Sequence, residues 1–454
     1  MRKTLLTLLL NVALIGSLLA SHIVGGVINV TIDDSTNVAT FSAYVYRDVQ
    51  GIPFNVATVN MDLVDPSNMS TTVPLAFSVK DTISNTPFLM ERYKFVGSVQ
   101  LSQSGFYTAS YQTPCCRNAA VLNANPSAGA LLETSFTHTM NTTSSTPVFL
   151  TDPVGKFPKD TLWTYDPMPY DADGDSLHWS LGGNGYIPGY TLPSSNPGGA
   201  LSINAQTGVI SWDASQLGVY LVGIFIDEYD QGSLLGTTYH EIQVIVVADT
   251  SQLRVIPPNN LNTTPSGPVA NFIANSSNSL TLSLTSDYSN ANLSIEAFGE
   301  PLQMANSNAS FTVSKYKTSD SLVGVFNWNP DASLKGEGPF RMAFRFSDGS
   351  FTYDYSVLIN VSGVFSVAEN TSSALSVYPN PASGTFFLKS GEVFRGENLE
   401  LNIYSTNGQK VFAQNFEKYE SVQDLPIDVN LPQGLYIIQL QGGKHSESLS
   451  VIIE

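Results

Sequence analysis

Along most of the chain, apolar and polar residues alternate in runs of about five to eight, broken by Gly, Asn, Asp and Pro. "FSAYVYRD" (Phe41 to Asp48) and "GFYTASYQ" (Gly105 to Gln112) are examples. A period of two sends alternate side chains to opposite faces, so one face of each run is buried and the run is a strand. Fully apolar runs such as "VIVVA" (Val244 to Ala248) end within a few residues. They predict buried strands and are too short for membrane helices. No long run has a 3.6-residue period, so the pattern predicts an all-β protein.

Two segments share one order of elements. "GVISWDASQLGVYLVGIFIDEYDQG" is followed by "YHEIQVIVV", and "GVFNWNPDASLKGEGPFRMAFRFSDGS" is followed by "YDYSVLINV". Each has Gly-Val-x-x-Trp (Gly208 to Trp212, Gly324 to Trp328), a Gly-containing turn, an apolar strand, a second turn and a Val- and Ile-rich closing strand. A Trp beside antiparallel strands plugs the core of a small sandwich. The repeat predicts modules at 147–249 and 250–366, after a β-domain at 21–146. A polar linker at 367–374 then leads to a last domain at 375–454.

This order of pieces resembles the cadherin-like, immunoglobulin-type modules of secreted bacterial proteins. "YDADGDSLHWSL" (Tyr170 to Leu181) strengthens the resemblance for the first copy. It implies calcium at that module's edge; the second copy has only "TSDYSNANLSI" there. Asp171, Asp173 and Asp175 alternate around Gly174, so three carboxylates can converge on a hard cation if the segment turns. An EF-hand loop would need Gly and Glu where Ser176 and Gly182 stand, so that reading fails. Asp227 and Asp230, at the far end of the module, are candidates to complete the shell.

The final domain opens on "LSVYPNPASGTFFL" and continues through "LELNIYSTNGQKVF" and "LPQGLYIIQL" to "HSESLSVIIE". Leu399, Leu401 and Ile403 share a strand face, and Asn407-Gly408 is a two-residue hairpin signal. Pro379 and Pro381 keep the opening edge from pairing onward. The order closely resembles the type A carboxy-terminal sorting domain of type IX secretion cargo, with Tyr378, Pro379, Asn380, Pro381, Gly408, Gly434 and Tyr436 at its motif positions. The resemblance implies recognition by the type IX secretion machinery and delivery outside the cell. "ASHIVGGVINV", "YVYRDVQGIPF" and "YQTPCCRNAAVLN" resemble the amino-terminal domain of large Bacteroidetes surface proteins, including gliding-associated ones. His22, Gly25, Gly26 and the run Cys115 to Asn118 carry that likeness.

Residues 1–20 read as a secretory signal: Arg2 and Lys3, an apolar run from Leu5 to Leu19, then Ala20 before Ser21. No later stretch is a transmembrane segment. Charged residues are only 13% of the 454, against about a quarter in ordinary soluble proteins, a style of extracellular β-modules. The net charge of −18 repels phosphate backbones, which argues against nucleic-acid partners, and favours cations. Cys115 and Cys116 are the two cysteines and are adjacent, which leaves a strained bridge between them or two buried thiols.

Catalytic signatures are poor. "HEIQV" has His240 and Glu241 but Val244 where a zinc protease needs its second His. Tyr44, Tyr46, Tyr107 and Tyr111 either form a sugar-stacking face or alternate into a core. The expectation is a secreted or surface-displayed, non-catalytic adhesion or interaction protein, with calcium stiffening one module and a glycan or protein as ligand. The rival class is a polysaccharide-binding accessory module or hydrolase subunit.

Overall fold

The structure is a computed structural model that describes residues 22–84, 87–114, 116–142, 144–193, 201–249, 253–287, 291–315, 321–363, 375–406, 408–418 except 391–393 and 407, and 424–454 except 444. The signal segment, the linker and Cys115 therefore lie outside the described residues. The described residues fall into two compact units on either side of the Gly363–Val364 bond.

The first unit begins with β1 (Ile23–Ile32), β2 (Val38–Asp48), β3 (Thr58–Val64), β4 (Ser70–Ile83), β5 (Met90–Gln100), β6 (Gly105–Gln112) and β7 (Leu131–His138). They join in the order β7-β6-β3-β4-β5-β2-β1, with β8 (Ser144–Ser145) on the outer edge of β1. Strand β4 serves two neighbours: its first half pairs with β3, its second with β5, and the register breaks between Phe77 and Val79. A break of this kind bends a strand, letting one ribbon fold over a shared core. Phe41, Phe95, Tyr107 and Phe136 lie in that core. Tyr107 and Tyr111 pack into that core, whereas Tyr46, buried, and Tyr44, half-buried, stand on the opposite face of β2 in a second cluster with Val24, Met90 and Val154.

Next come β9 (Val148–Phe149), β10 (Val154–Pro158), β11 (Leu162–Tyr165), β12 (Pro169–Tyr170), β13 (Ser176–Leu181), β14 (Ser202–Ile203), β15 (Ile210–Asp213), β16 (Gly218–Asp230) and β17 (Ser233–Val247). One layer is β13-β16-β17, with β10 running parallel to β17; the other is β11-β15-β14. The following strands are β18 (Leu253–Ile256), β19 (Asn262–Thr264), β20 (Gly267–Ile273), β21 (Asn278–Ser286), β22 (Ser294–Gly299), β23 (Ser310–Lys315), β24 (Ser321–Trp328), β25 (Phe340–Ser347) and β26 (Thr352–Ser362). They build layers β18-β21-β24-β23 and β19-β20-β26-β25-β22, again with an early strand, β20, parallel to the last. Both repeats thus have immunoglobulin-like strand order: two layers with the terminal strand flanked by its predecessor and by a parallel early strand.

The shared Gly-Val-x-x-Trp phrase falls on equivalent strands, β15 and β24, each central in its layer, and both tryptophans are buried. Gly208 adopts φ +75°, and a Cβ there would stand 2.7 Å from the Trp179 ring. At Gly324 a Cβ would meet Leu282 and Phe311 at 2.7 Å. The glycine of the phrase therefore leaves room for a neighbouring side chain, Trp179 in the first copy and Leu282 with Phe311 in the second.

The three parts of this unit are joined by buried polar contacts. Arg117, wholly buried, forks onto Glu241 of β17 (Nη2 to Oε2 2.7 Å, Nε to Oε1 3.0 Å) and donates to the carbonyls of Ala128 and Gly129. A Cβ on Gly25 would lie 2.3 Å from the Glu241 carbonyl, so only glycine lets β1 run this close to β17. Further along, Trp163 Nε1 donates to the Thr352 carbonyl, and Asp354 accepts from the Asp166 amide while holding Arg345 in a two-pronged pair. Residues that carried the amino-terminal resemblance, Gly25 and Arg117, are thus the ones that seat the first β-domain on its neighbour.

The second unit comprises β27 (Leu375–Tyr378), β28 (Thr385–Ser390), β29 (Leu399–Ser405), β30 (Lys410–Phe416), β31 (Leu425–Asp428), β32 (Gly434–Gly442) and β33 (His445–Ile453). Layers β27-β28-β31 and β30-β29-β32-β33 enclose Phe386, Leu401, Ile403, Ile438 and Val451. Leu399, Leu401 and Ile403 do share the buried face. The chain is an all-β protein of tandem immunoglobulin-like sandwiches ending in a small carboxy-terminal β-sandwich.

Candidate functional site

The acidic phrase forms a tight loop between β12 and β13. Asp171 Oδ1 accepts from the backbone amides of Asp173, Gly174 and Asp175, and Gly174 takes φ +87°, which turns the chain back on itself. The ligand oxygens of Asp171, Asp173 and Asp175 come within 4.8 Å of one another. Oδ2 of Asp171 is buried with no hydrogen-bond partner among the described residues. Burial, then the neighbouring carboxylates against the loop's own amides, push the Asp171 carboxyl up to about 6. Asp173 Oδ2 accepts from the amide (2.6 Å) and hydroxyl (2.8 Å) of Ser145 in β8, tying the loop to the segment that leaves the first β-domain.

The fourth carboxylate is Glu228. It is 5% exposed, and burial followed by the charges of Asp171, Asp175 and Asp173 pushes it up to about 9. Burial also raises Asp175, with Asp173 and Asp230 adding to the effect. Pairing of β13 with β16 sets Leu177 opposite Glu228, which brings the end of β16 beside the loop. Along β16, Ile224, Ile226 and Glu228 share one face and Asp227 the other. Asp227 instead accepts from the Thr237 hydroxyl at 2.6 Å, and Asp230 is exposed at the strand end. Neither they nor Glu228 is one of the three grouped aspartates, but Glu228 is tied to them by its side-chain hydrogen bond with Asp175. Parity in "GIFIDEYD" marks Glu228 as an acid on a buried row; which loop faced it depended on the β13–β16 pairing.

Four carboxylates gathered with no cation beside them suit a hard cation with oxygen ligands. Among the described residues no Lys or Arg ion pair involves any of them. The residues present therefore fit calcium: Asp171 offers Oδ2, and Asp173, Asp175 and Glu228 offer further oxygens.

In the second unit the sorting phrase closes the last strand onto the sandwich. Asn380 Nδ2 donates to the Ser450 carbonyl at 3.1 Å, and its Oδ1 accepts from the Ile452 amide at 2.8 Å. Ala382 and Glu454 extend the clamp through backbone bonds to β33. Tyr378 stacks on Phe387 and donates to Asp424. Tyr436, buried, donates to the Pro432 carbonyl at 2.8 Å. Gly408 takes φ +81° in the β29–β30 hairpin, while Asn407 lies outside the described residues. Gly434 opens β32.

The other flagged groups have structural partners. His240 is buried and stacks on Phe149 at 4.0 Å, and Glu241 belongs to Arg117. Cys116 is disulfide-bonded. Among the described residues no helix is long and apolar enough to cross a membrane.

Residues 376–454 match the secretion system C-terminal sorting domain family. No curated protein matches the chain. Among solved structures, the chain is similar to invasin, a bacterial integrin-binding protein (11% identity, 94% of this chain and 78% of that one, TM-score 0.17). It is also similar to the FN1–FN3 domains of chicken CNTN1 (8%, 77% and 95%, 0.15) and to an endo-fucoidan hydrolase of glycoside hydrolase family 107 (14%, 67% and 42%, 0.17). The chain is a type IX secretion cargo protein with a carboxy-terminal sorting domain. It is exported to the cell surface or the extracellular space.

Proposed function

We propose that this exported chain acts outside the cell as a non-catalytic adhesion or interaction protein, whose β-modules bind a glycan or a partner protein through exposed loops and faces. Calcium at Asp171, Asp173, Asp175 and Glu228 would stiffen the junction between the first β-domain and the first immunoglobulin-like module. The observation that carries the reading is the way charged side chains are spent: Arg117 with Glu241 and Arg345 with Asp354 are buried in joints between parts. Fixed joints suit a protein whose task is to hold a binding surface at a set distance and orientation. Asp173 supports the cation's place in the same scheme, because it ties the acidic loop to Ser145 across such a joint.

Two measurements test the two parts. Deleting the gene in the native host should reduce adhesion or surface assembly without removing a secreted hydrolytic activity; loss of such an activity would favour the hydrolase-subunit reading. Adding calcium to chelated purified protein should raise Tm by several degrees, and Glu228→Gln should shrink the rise. An unchanged Tm would remove the metal.

A further inference from the structure

The outer face of the first β-domain carries a groove whose charge runs against that of the chain. Its floor is Tyr44 and Tyr46 of β2, which stand opposite Lys94 and Arg92 of β5; Val79 and Asp81 of β4 follow in the next strand. Val148 and Phe149 of β9 close one side, with Phe149 held by its stack on His240. The groove encloses about 280 Å³, near the lower end of small-molecule sites, which run from about 300 to 1,000 Å³. That is room for one ring of a larger chain.

Two cations face one carboxylate here, on a protein of net charge −18. Arg92 pairs with Asp81 (Nη2 to Oδ2 2.8 Å), yet its buried Nε has no hydrogen-bond partner among the described residues. Among the described residues Lys94 has no carboxylate within ion-pair distance; its Nζ lies 5.4 Å from the Tyr44 ring centroid, and the Arg92 guanidinium lies 5.8 Å from the same ring. A ring flanked by two cations holds them in place without neutralising them. Buried donors left unpaired cost free energy until an acceptor arrives. Apolar Val148 and Phe149 beside those donors give the site both an anion-binding side and a wall against which a sugar's C–H face can pack.

We propose that this groove binds one acidic sugar residue of a polysaccharide, with its carboxylate or sulfate at Lys94 and Arg92 and its ring against Val148 and Phe149. The proposal rests on the reading of the chain as an interaction protein and names a ligand class for it. Charge complementarity favours an anionic saccharide over a neutral one, and the apolar wall favours a pyranose over an acidic peptide.

The test is titration calorimetry on the purified mature protein at low salt, with tetragalacturonate, a chondroitin sulfate tetrasaccharide, cellotetraose and hexaglutamate as probes. At least one acidic tetrasaccharide should bind, Lys94→Gln should weaken it at least tenfold, and added salt should weaken the wild type more than the variant. Lys159→Gln removes the same charge from another surface and should leave affinity unchanged. Lys94 lies over the Tyr44 ring and is in no ion pair among the described residues, so its variant should stay within a degree or two of the wild-type Tm. Binding of neither acidic sugar, equal loss in both variants, or equal binding of cellotetraose or hexaglutamate overturns the proposal. Host-cell adhesion is read separately, so a failed groove with adhesion intact removes the groove alone.

Discussion

At the residue scale, the buried Arg117–Glu241 pair is the most exposed to mutation. Each partner is nearly solvent-free, so removing one strands the other's charge in a dry site. Arg117→Ala should cost about 3–5 kcal/mol, enough to lower Tm by several degrees, whereas the double variant Arg117→Met, Glu241→Leu should recover much of that loss. A double variant no more stable than the single one would mean that the carbonyl bonds of Arg117, not its charge, hold the joint. His240 makes a pH prediction. Burial lowers it to about 3 from 6.5, and neither ring nitrogen has a hydrogen-bond partner among the described residues. Between those values the unfolded chain binds the extra proton and the folded chain does not, so stability is lost as pH falls through that window. His138, also buried and lowered, adds to the slope. Asp171, raised to about 6, works in the opposite sense below that pH, so the histidine share is read as a difference: His240→Phe should gain Tm relative to the wild type as pH falls from 6.5 to 4.

Among elements, the last strand depends on one side chain near the start of its domain. Asn380 satisfies the backbone of β33 at two points, a donor and an acceptor that an alanine cannot supply. Asn380→Ala should cost about 1–3 kcal/mol and raise amide exchange across Ser450 to Ile453. Unchanged exchange there would show that the backbone bonds of Ala382 suffice. The same element explains why proline on either side of Asn380 suits this phrase: neither flanking residue has an N–H to present to a stray strand. Parity worked well at this scale. It gave Leu399, Leu401 and Ile403 a common face, and it distinguishes Glu228 from Asp227 on β16. Pairing between β13 and β16 was not legible, because nothing local in a strand names its neighbour.

For the whole molecule, export and action belong to separate units. Removing 375–454 should leave the protein folded through Gly363 but held behind the outer membrane, measured by fractionating host cells. Normal delivery to the medium would end the sorting account. Within the first unit, cooperativity is expected to span all three parts, since charged pairs and the shared sheet from β7 into β17 join them.

Alternation, turn residues and a repeated Trp phrase were enough by themselves to determine the all-β class, the doubled module and the three-aspartate loop, while the sorting domain was legible through the resemblance of its ordered motifs to a known family. Each depends on period and spacing within a short stretch, where backbone geometry fixes which way a side chain points. Only the tertiary structure decided that Glu228 rather than Asp227 joins the acidic loop, that Arg117 meets Glu241, and that Lys94 stands unpaired over Tyr44. Those outcomes depend on which distant strands lie side by side, and that choice is made by the packing of the whole core, to which no single stretch of sequence holds the key.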